Sequence, residues 1–286
     1  MITIDTPNKQ KVKMIAVLIF GAFIMMLTET FFNNALPTII NQYSVSQSIA
    51  QWVSTGYQLV TGLMIPLSAW FFHRFNTKHT FISLLLIFLL GSICGFLASN
   101  FWLLLFGRLI QAIAAGAMIP LIQNVVLVLY PQEKRGFIMG IIGLVIAFDP
   151  ALGPTVGGWI IDNLGLKWLF GILVPLIIIL LAISLFNAKN VHKIDRTQRV
   201  DWLSVVESCL GFGALLYGFS DIGNMGTINL TNGFITIMGF VVLIFFCWRQ
   251  LKLEKPLVNL RVFKNYTFNF LCVILRGLYA FIVTDF

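Results

Sequence analysis

The chain has 286 residues, of which 58% are apolar and 10% are charged, whereas about a quarter are charged in an ordinary soluble domain. With a mean hydropathy of +0.91, this composition excludes a soluble globular domain, a disordered chain and a disulfide scaffold. The net charge of +8 does not indicate nucleic-acid binding, because the basic residues lie in short loops between apolar blocks. We predict a multi-pass protein of the cell membrane, with the lipid bilayer as its main partner.

Nine apolar blocks are each long enough to cross a bilayer, since a spanning helix needs about 20 residues. Helices are predicted because lipid leaves the open edge of a sheet unsatisfied. The predicted spans are residues 14–36, 50–72, 80–99, 101–129, 137–161, 168–187, 203–220, 234–251 and 267–286. The expected fold is therefore all-α.

The basic residues predict that the N-terminus lies in the cytosol. Sixteen of the 19 Lys and Arg residues then fall in cytosolic segments, one (Lys167) in an outer loop, and two (Arg108 and Arg276) within spans. The same orientation places loop 189–202 inside and loop 221–233 outside. The long polar connection at 189–202 also divides the spans into groups.

Four regions follow from this division. We predict a six-helix bundle over residues 1–188 and a cytosolic linker over 189–202. Two further spanning helices cover 203–252, and 253–286 holds a cytosolic loop and one more helix.

An enzyme is a weak interpretation of this sequence. None of the four cysteines has metal-ligand spacing, the three histidines lie in predicted cytosolic loops, and there is no Gly-rich phosphate-binding loop. We therefore expect no catalytic residue, no metal and no cofactor.

Ionisable residues within spans are costly and therefore suggest function. At about 1.5 Å per residue, Glu29, Arg108 and Asp149 all lie roughly 18–22 Å from the inner ends of their helices. This level is near the midplane, where secondary transporters bind substrate and coupling ion. Glu207 lies only about 8 Å inside its helix and is expected to reach back to the interface. Arg276 falls in the last block.

Two interpretations of the three midplane charges remain open. Arg108 could simply neutralise Glu29 or Asp149 in a structural ion pair. Alternatively, a buried carboxyl could hold a proton and release it when its surroundings become wet. Four amides extend the patch as candidate substrate contacts, with hydrogen bonding between helices as the alternative. These amides are Asn33, Asn34, Gln58 and Gln111.

Span five carries the most specific pattern, the run DPALGPTVGG over residues 149–158. Asp149, Gly153 and Gly157 repeat every four residues, which predicts close approach by another helix. Pro150 and Pro154 remove backbone donors and bend a helix, which suits a hinge or a seal. A packing motif in a static bundle is the alternative.

These segments resemble the major facilitator superfamily, specifically its fourteen-span drug:proton antiporters of the EmrB/QacA type. In span one, LTETFFNNALP (Leu27–Pro37) is similar to the family's L-D-x-T-I-V-N-V-A-L-P. In span four, LLLFGRLIQAIAAG (Leu103–Gly116) resembles l-x-x-x-R-x-x-q-G, and in span five GPTVGG (Gly153–Gly158) matches the antiporter motif. The loop with Arg74 and Lys78 resembles the superfamily's cytosolic signature weakly.

The resemblance implies roles for some of these residues. It implies that Arg108 takes part in proton coupling and that the loop with Arg74 and Lys78 gates the cytosolic side. It also implies an antiporter motif made of Gly153, Pro154, Gly157 and Gly158. The chain departs from the family at Thr28, where the family has Asp, and at Asp149, where the family has a small residue.

The resemblance also implies a layout. Fourteen spans need about 450–500 residues, so this chain would hold one bundle, the two extra spans and the first helix of an incomplete second bundle. We predict a proton-coupled exporter of small amphipathic drugs, with Glu29 as proton carrier, Arg108 as its modulator and Asp149 as the rival carrier. A second chain could supply the missing helices. The alternative is a non-transporting membrane scaffold or partner subunit derived from such a transporter.

Overall fold

The computed structural model describes residues 8–188, 190–191, 201–227, 229–253, 256 and 260–264. Every regular element in these ranges is a helix. The predicted ninth span at 267–286, Arg276 and most of the linker 189–202 lie outside the described residues.

Ten α-helices account for the described part of the chain. They are α1 (Asn8–Tyr43), α2 (Gln47–Ala50), α3 (Trp52–Arg74), α4 (Thr77–Phe96), α5 (Phe101–Leu129), α6 (Gln132–Leu164), α7 (Trp168–Gly171), α8 (Leu173–Asn187), α9 (Trp202–Met225) and α10 (Leu230–Lys252). A 3-10 helix follows at Leu260–Lys264. The predicted sixth span is interrupted near Ile172, between α7 and α8.

Seven of the described helical segments are long and apolar enough to cross a membrane, which gives an all-α, multi-pass membrane fold. The α3 helix has 23 residues, which is long enough to cross a bilayer. Its first turns carry Ser54, Thr55, Gln58 and Thr61, so this span is the most polar of the six predicted for the bundle. Pro150 and Pro154 do not break α6, which continues from Gln132 to Leu164.

The α5 helix lies at the centre of the bundle, where it packs against α1, α3 and α4. At the α4–α5 crossing the two backbones touch, since a Cβ atom on Gly91 would lie 2.7 Å from the carbonyl oxygen of Gly107. The α1 helix packs against α6 and α8 as well as α5. The α9–α10 pair is attached through α9 to α3, where the rings of Trp52 and Tyr217 are 6.0 Å apart.

Two apolar clusters fill the bundle. The first cluster includes α1 residues from Met14 to Met25 and α5 residues from Ala114 to Leu129. The second cluster includes α1 residues from Phe31 to Ile39, together with Phe101 and Leu104 of α5. A gap between the clusters therefore falls at the same level on both helices.

Basic side chains in the first turns of α4 and α6 bind carbonyl groups at the C-terminal ends of other helices. The Lys78 Nζ atom donates to the carbonyl of Leu185 at 2.6 Å, at the end of α8. Arg135 donates to the carbonyls of Leu127 and Tyr130 at the end of α5. A cation at this end of a helix also interacts favourably with the helix dipole. These residues thus stabilise helix ends, in addition to their predicted effect on topology.

Candidate functional site

Polar side chains from four helices lie in the gap between the two apolar clusters. We call this set the polar layer. Its members are Thr28, Glu29 and Thr30 of α1, Tyr57 and Gln58 of α3, Arg108 and Gln111 of α5, and Asp149 of α6. The layer places the three ionisable residues predicted from the sequence at one level of the bundle.

Arg108 is fully buried, at 0% exposure. Its guanidinium carbon lies 3.9 Å from the ring centre of Tyr57 and 4.3 Å from that of Phe32, so two aromatic faces pack against the cation. The Nη1 atom donates to Gln111 Oε1 at 3.0 Å, and Gln111 donates in turn to Ser92 Oγ at 2.8 Å. The buried Nε and Nη2 atoms have no acceptor among the described residues.

Glu29 is held by a neutral group. Its Oε1 atom accepts a hydrogen bond from Gln58 Nε2 at 3.1 Å. The preceding residue on α3, Tyr57, packs on Arg108 and donates its hydroxyl to the carbonyl of Met25 at 3.3 Å. Consecutive residues of α3 therefore hold the cation and the carboxylate separately.

Asp149 is 5% exposed and is bound to α1. Its Oδ1 atom accepts a hydrogen bond from Thr30 Oγ1 at 2.9 Å. A Cβ atom on Gly153 would collide with the Thr30 side chain, and one on Gly157 would lie 3.1 Å from Phe31 Cα. The repeat of small residues in α6 therefore meets α1, which lets Asp149 reach its partner.

Neither carboxylate forms an ion pair with Arg108 at a nitrogen–oxygen distance of 4.0 Å or less. In the part of the chain that the structure describes, the ion pair found by that measure is Arg249–Asp201, in the α9–α10 pair. Glu29 nevertheless lies close enough for its charge to interact with those of Arg108 and Asp149. The structure therefore places one guanidinium and two carboxyl groups at one level, with no ion pair within 4.0 Å among them.

The predicted amides fall into two groups. Gln111 is fully buried and supports Arg108, so in this conformation it does not face an open surface. Asn33, Asn34 and Gln58 are exposed. Gln58 contacts Glu29, and Asn33 lies one turn after Glu29 on the same face of α1. In the antiporter motif, Gly153 and Gly157 face α1, whereas the space around Gly158 is open.

Sequence reasoning missed the residues that surround the charges. Phe32, Tyr57 and Ser92 were not singled out, because an aromatic or a serine in an apolar helix resembles many lipid-facing or packing residues. Spacing offers one usable signal, since Phe32 follows Glu29 by three residues and so shares its helix face. The partners on α3 and α4 could not be found this way, because their contact depends on tertiary packing.

Glu207 lies on α9 and is partly exposed. Its Oε2 atom and the Oγ atom of the neighbouring Ser208 are buried and have no hydrogen-bond partner among the described residues. That the Glu207 carboxylate reaches back to the membrane interface stays a prediction.

Comparison with known proteins places the chain in a family. The sequence model of the Major Facilitator Superfamily matches residues 18–284. The chain belongs to the major facilitator superfamily. The family and the membrane spans together make it a multi-pass transporter-type protein of the cell membrane, not an enzyme.

Several curated relatives are drug-resistance or export proteins. The MFS-type transporter YcnB of Bacillus subtilis is 41% identical over 249 residues, which cover 87% of this chain and 52% of that protein. Lincomycin resistance protein LmrB of Listeria monocytogenes is 36% identical over 263 residues (91% and 56%), and the multidrug export protein EmrB of Escherichia coli is 29% identical over 276 residues (95% and 54%). The chain spans about half the length of the curated relatives that it matches.

Solved structures support the same fold. The human organic anion transporter MFSD10 (TETRAN) matches with a TM-score of 0.58 at 14% identity, covering 82% of this chain and 70% of that one. The POT family transporter PepTSo matches with a TM-score of 0.56 at 14% identity, covering 85% and 52%. At this identity the likeness describes the fold and not the substrate.

Proposed function

We propose that this chain contributes to a proton-coupled antiporter that exports amphipathic drugs or other toxic compounds. The observation that carries the proposal is the polar layer, in which two carboxylates are held by neutral donors beside a buried arginine. The drug-resistance and multidrug-export relatives support the substrate class. Because the chain spans about half of those relatives, the activity is proposed for the assembled transporter.

Glu29 is the proposed proton carrier, and Asp149 is the rival. Glu29 is half-buried at the side of the bundle and held by one amide, so it can exchange a proton with a water-filled cavity. Asp149 is more deeply enclosed and is bound to Thr30. Arg108 favours the charged form of a nearby carboxyl, whereas removal from water favours the neutral form. Substrate or water entering the site would change that balance.

Alternating access would bring the layer to each side of the membrane in turn. Secondary transporters of this type rock two bundles about a site at the midplane. The α1–α6 contact at Thr30 and Gly153 lies at this level, and the loop of Arg74 and Lys78 lies at one end of the bundle. The second bundle could come from a second chain.

The proposed substrates are several unrelated amphipathic compounds. An apolar groove of about 960 Å³ lies between α1 and α6, with Phe20, Phe23, Phe137 and Phe148 among its lining residues. Aromatic faces accept organic cations of many shapes. Transport screening should therefore find more than one chemical class, and a protein that moves a single hydrophilic metabolite would contradict this proposal.

The decisive experiment is drug movement in liposomes with an imposed pH gradient. Glu29→Gln should reduce gradient-driven movement on the order of 100-fold, the usual scale for removing a positioned proton-transfer group, while drug binding persists. Asp162→Asn is the control, because Asp162 is an exposed carboxylate on the last turns of α6 and is not among the residues that line the groove. If Glu29→Gln keeps full transport, the role passes to Asp149, for which Asp149→Asn and the exposed Asp162→Asn form the corresponding pair.

A non-transporting scaffold or partner subunit is the second candidate. The same liposomes distinguish the two functions: the 286-residue chain alone is expected not to move drug, and co-reconstitution with a chain carrying a second bundle is expected to restore movement. Gradient-dependent transport by the chain alone would contradict the need for a second bundle.

A further inference from the structure

Two opposite charges in the polar layer are held apart by neutral side chains. Tyr57 packs its ring on Arg108 at 3.9 Å, and the next residue, Gln58, donates to Glu29 at 3.1 Å. Phe32, one turn after Glu29 on α1, packs on the same guanidinium at 4.3 Å. Each charge therefore contacts a neutral group in place of its natural partner.

This arrangement is not the one that electrostatics alone would favour. Attraction between opposite charges is stronger in a low-dielectric interior than in water, and an uncompensated charge in a membrane protein is costly. Arg108 has two donor atoms without an acceptor among the described residues, and Glu29 interacts with it through space. A direct pair would satisfy both groups, so something must hold them apart.

The holding groups are themselves anchored. The Tyr57 hydroxyl donates to the carbonyl of Met25 on α1. On the other side, Arg108 is bound to Gln111, which is bound to Ser92, whose hydroxyl donates to the carbonyl of Phe88 at 2.8 Å. The cation is thus fixed to α4, while the ring that covers it is fixed to α1.

We infer that Phe32, Tyr57 and Gln58 are positioning residues that keep Arg108 and Glu29 apart, so that a shift of α1 or α3 against α5 turns separated charges into an ion pair. The role of this movement in transport rests on the proposed function: pairing of Arg108 with Glu29 would drive a proton off Glu29, and separation of the two would let the proton return. Its geometry is independent of that proposal.

The groups that face Glu29 define what can change its protonation. They are Tyr57 from α3, Arg108 from α5 and Asp149 from α6. The α8 helix, which also packs on α1, has no ionisable residue between Leu173 and Asn187. Of these groups, Arg108 is the cation. Movement of Arg108 toward Glu29 should therefore have the largest effect on the protonation of Glu29.

The test is carbodiimide labelling of the 286-residue chain in lipid nanodiscs across pH, read at Glu29 by peptide mass spectrometry. Carbodiimides react with protonated carboxyl groups in apolar surroundings. Phe32→Leu and Tyr57→Leu should each lower the pH of half-maximal labelling by about 1 unit, because an opposite charge within contact distance favours the carboxylate. Tyr57→Phe keeps the ring but removes the hydroxyl that anchors it to Met25, so its midpoint should lie between those of Tyr57→Leu and the wild type.

A double variant separates this effect from a loss of fold. In Phe32→Leu combined with Arg108→Gln the downward shift should disappear, since the cation is gone. The inference is overturned if that shift persists, or if Phe32→Leu, with wild-type helicity and elution, leaves the midpoint unchanged. A wild-type Glu29 that stays unreactive down to pH 4 would mean that the carboxylate is already paired, which overturns it as well.

Labelling and transport fail independently. A shift in labelling, together with no drug movement by the assembled transporter in liposomes, would reject the proposed function and keep the positioning role. Normal proton-driven transport by the assembled transporter, with no shift of the labelling midpoint in Phe32→Leu, would keep the proposed function and reject the positioning role.

Discussion

Two arginines differ in their partners: Arg249 in the α9–α10 pair forms an ion pair, whereas Arg108 in the bundle does not. Arg249 donates from Nε and Nη2 to the two oxygens of Asp201 at 2.8 and 2.9 Å, near the end of the α9–α10 pair. Arg108, in the middle of the bundle, is fully buried and contacts two rings and one amide. The Arg249 charge joins α9 to α10 through Asp201. The Arg108 charge has no anionic partner within 4.0 Å and can therefore act on a nearby carboxyl group.

The two arginines also differ in the free energy needed to place their charges. A partly exposed bidentate pair is inexpensive to form and contributes modestly to stability. A buried guanidinium without an anion is expensive, and packing alone would be better served by an apolar side chain. Stability therefore explains Arg249 well and Arg108 poorly, which supports a functional role for the polar layer.

The largest difference between the two regions should appear when each arginine is exchanged for glutamine. In the assembled transporter, Arg108→Gln should reduce gradient-driven drug movement on the order of 100-fold, because the proton site loses its cation. Arg249→Gln, at an ion pair outside the layer, should leave transport within about twofold. Drug flux in liposomes measures both. Equal losses in the two variants would show that the distinction between the regions is wrong.

The second effect compares two glycines of α6 by thermal unfolding. Gly153→Ala should destabilise by about 1–3 kcal/mol, because the added methyl group meets Thr30 and forces α6 away from α1. Gly158→Ala should be neutral or stabilising by up to about 1 kcal/mol, since nothing lies within 4 Å of its Cβ position and alanine favours a helix. Tryptophan fluorescence of both variants in detergent gives the result. A tolerated Gly153→Ala would mean that the Thr30–Asp149 contact does not require close helix approach.

The sequence predicts much of the fold because membrane helices depend on composition. The apolar blocks at 101–129 and 168–187 give the bounds of α5 and of the α7–α8 segment closely. The α6 helix was predicted to start at 137 and instead starts at Gln132, since polar residues can extend a helix beyond the bilayer. The division into regions and the topology remain predictions.

The candidate site was predictable only in part. Helix rise alone placed Glu29, Arg108 and Asp149 at one level, because each helix starts near one membrane surface. It could not show that Thr30 binds Asp149 or that Tyr57 covers Arg108, since those contacts depend on how each helix rotates about its axis. Rotation is decided by packing, such as glycine contacts between helices, and not by depth.

The smallest effect is the pH dependence of the Asp201–Arg249 pair. The Arg249 guanidinium and the Ser204 hydroxyl hold the pKa of Asp201 at about 2, below its ordinary value of 3.8. Because the folded state favours the carboxylate, the stabilisation is complete above about pH 4 and is lost as pH falls toward 2. Asp201→Asn should lower the melting temperature at pH 5 on the order of 2 °C, since the pair is partly exposed, and the difference from wild type should vanish near pH 2. Melting curves of both proteins from pH 5 to pH 2 measure this. A difference that stays constant over that range would show that Asp201 acts through packing, and the contrast with Arg108 would then no longer be one of charge.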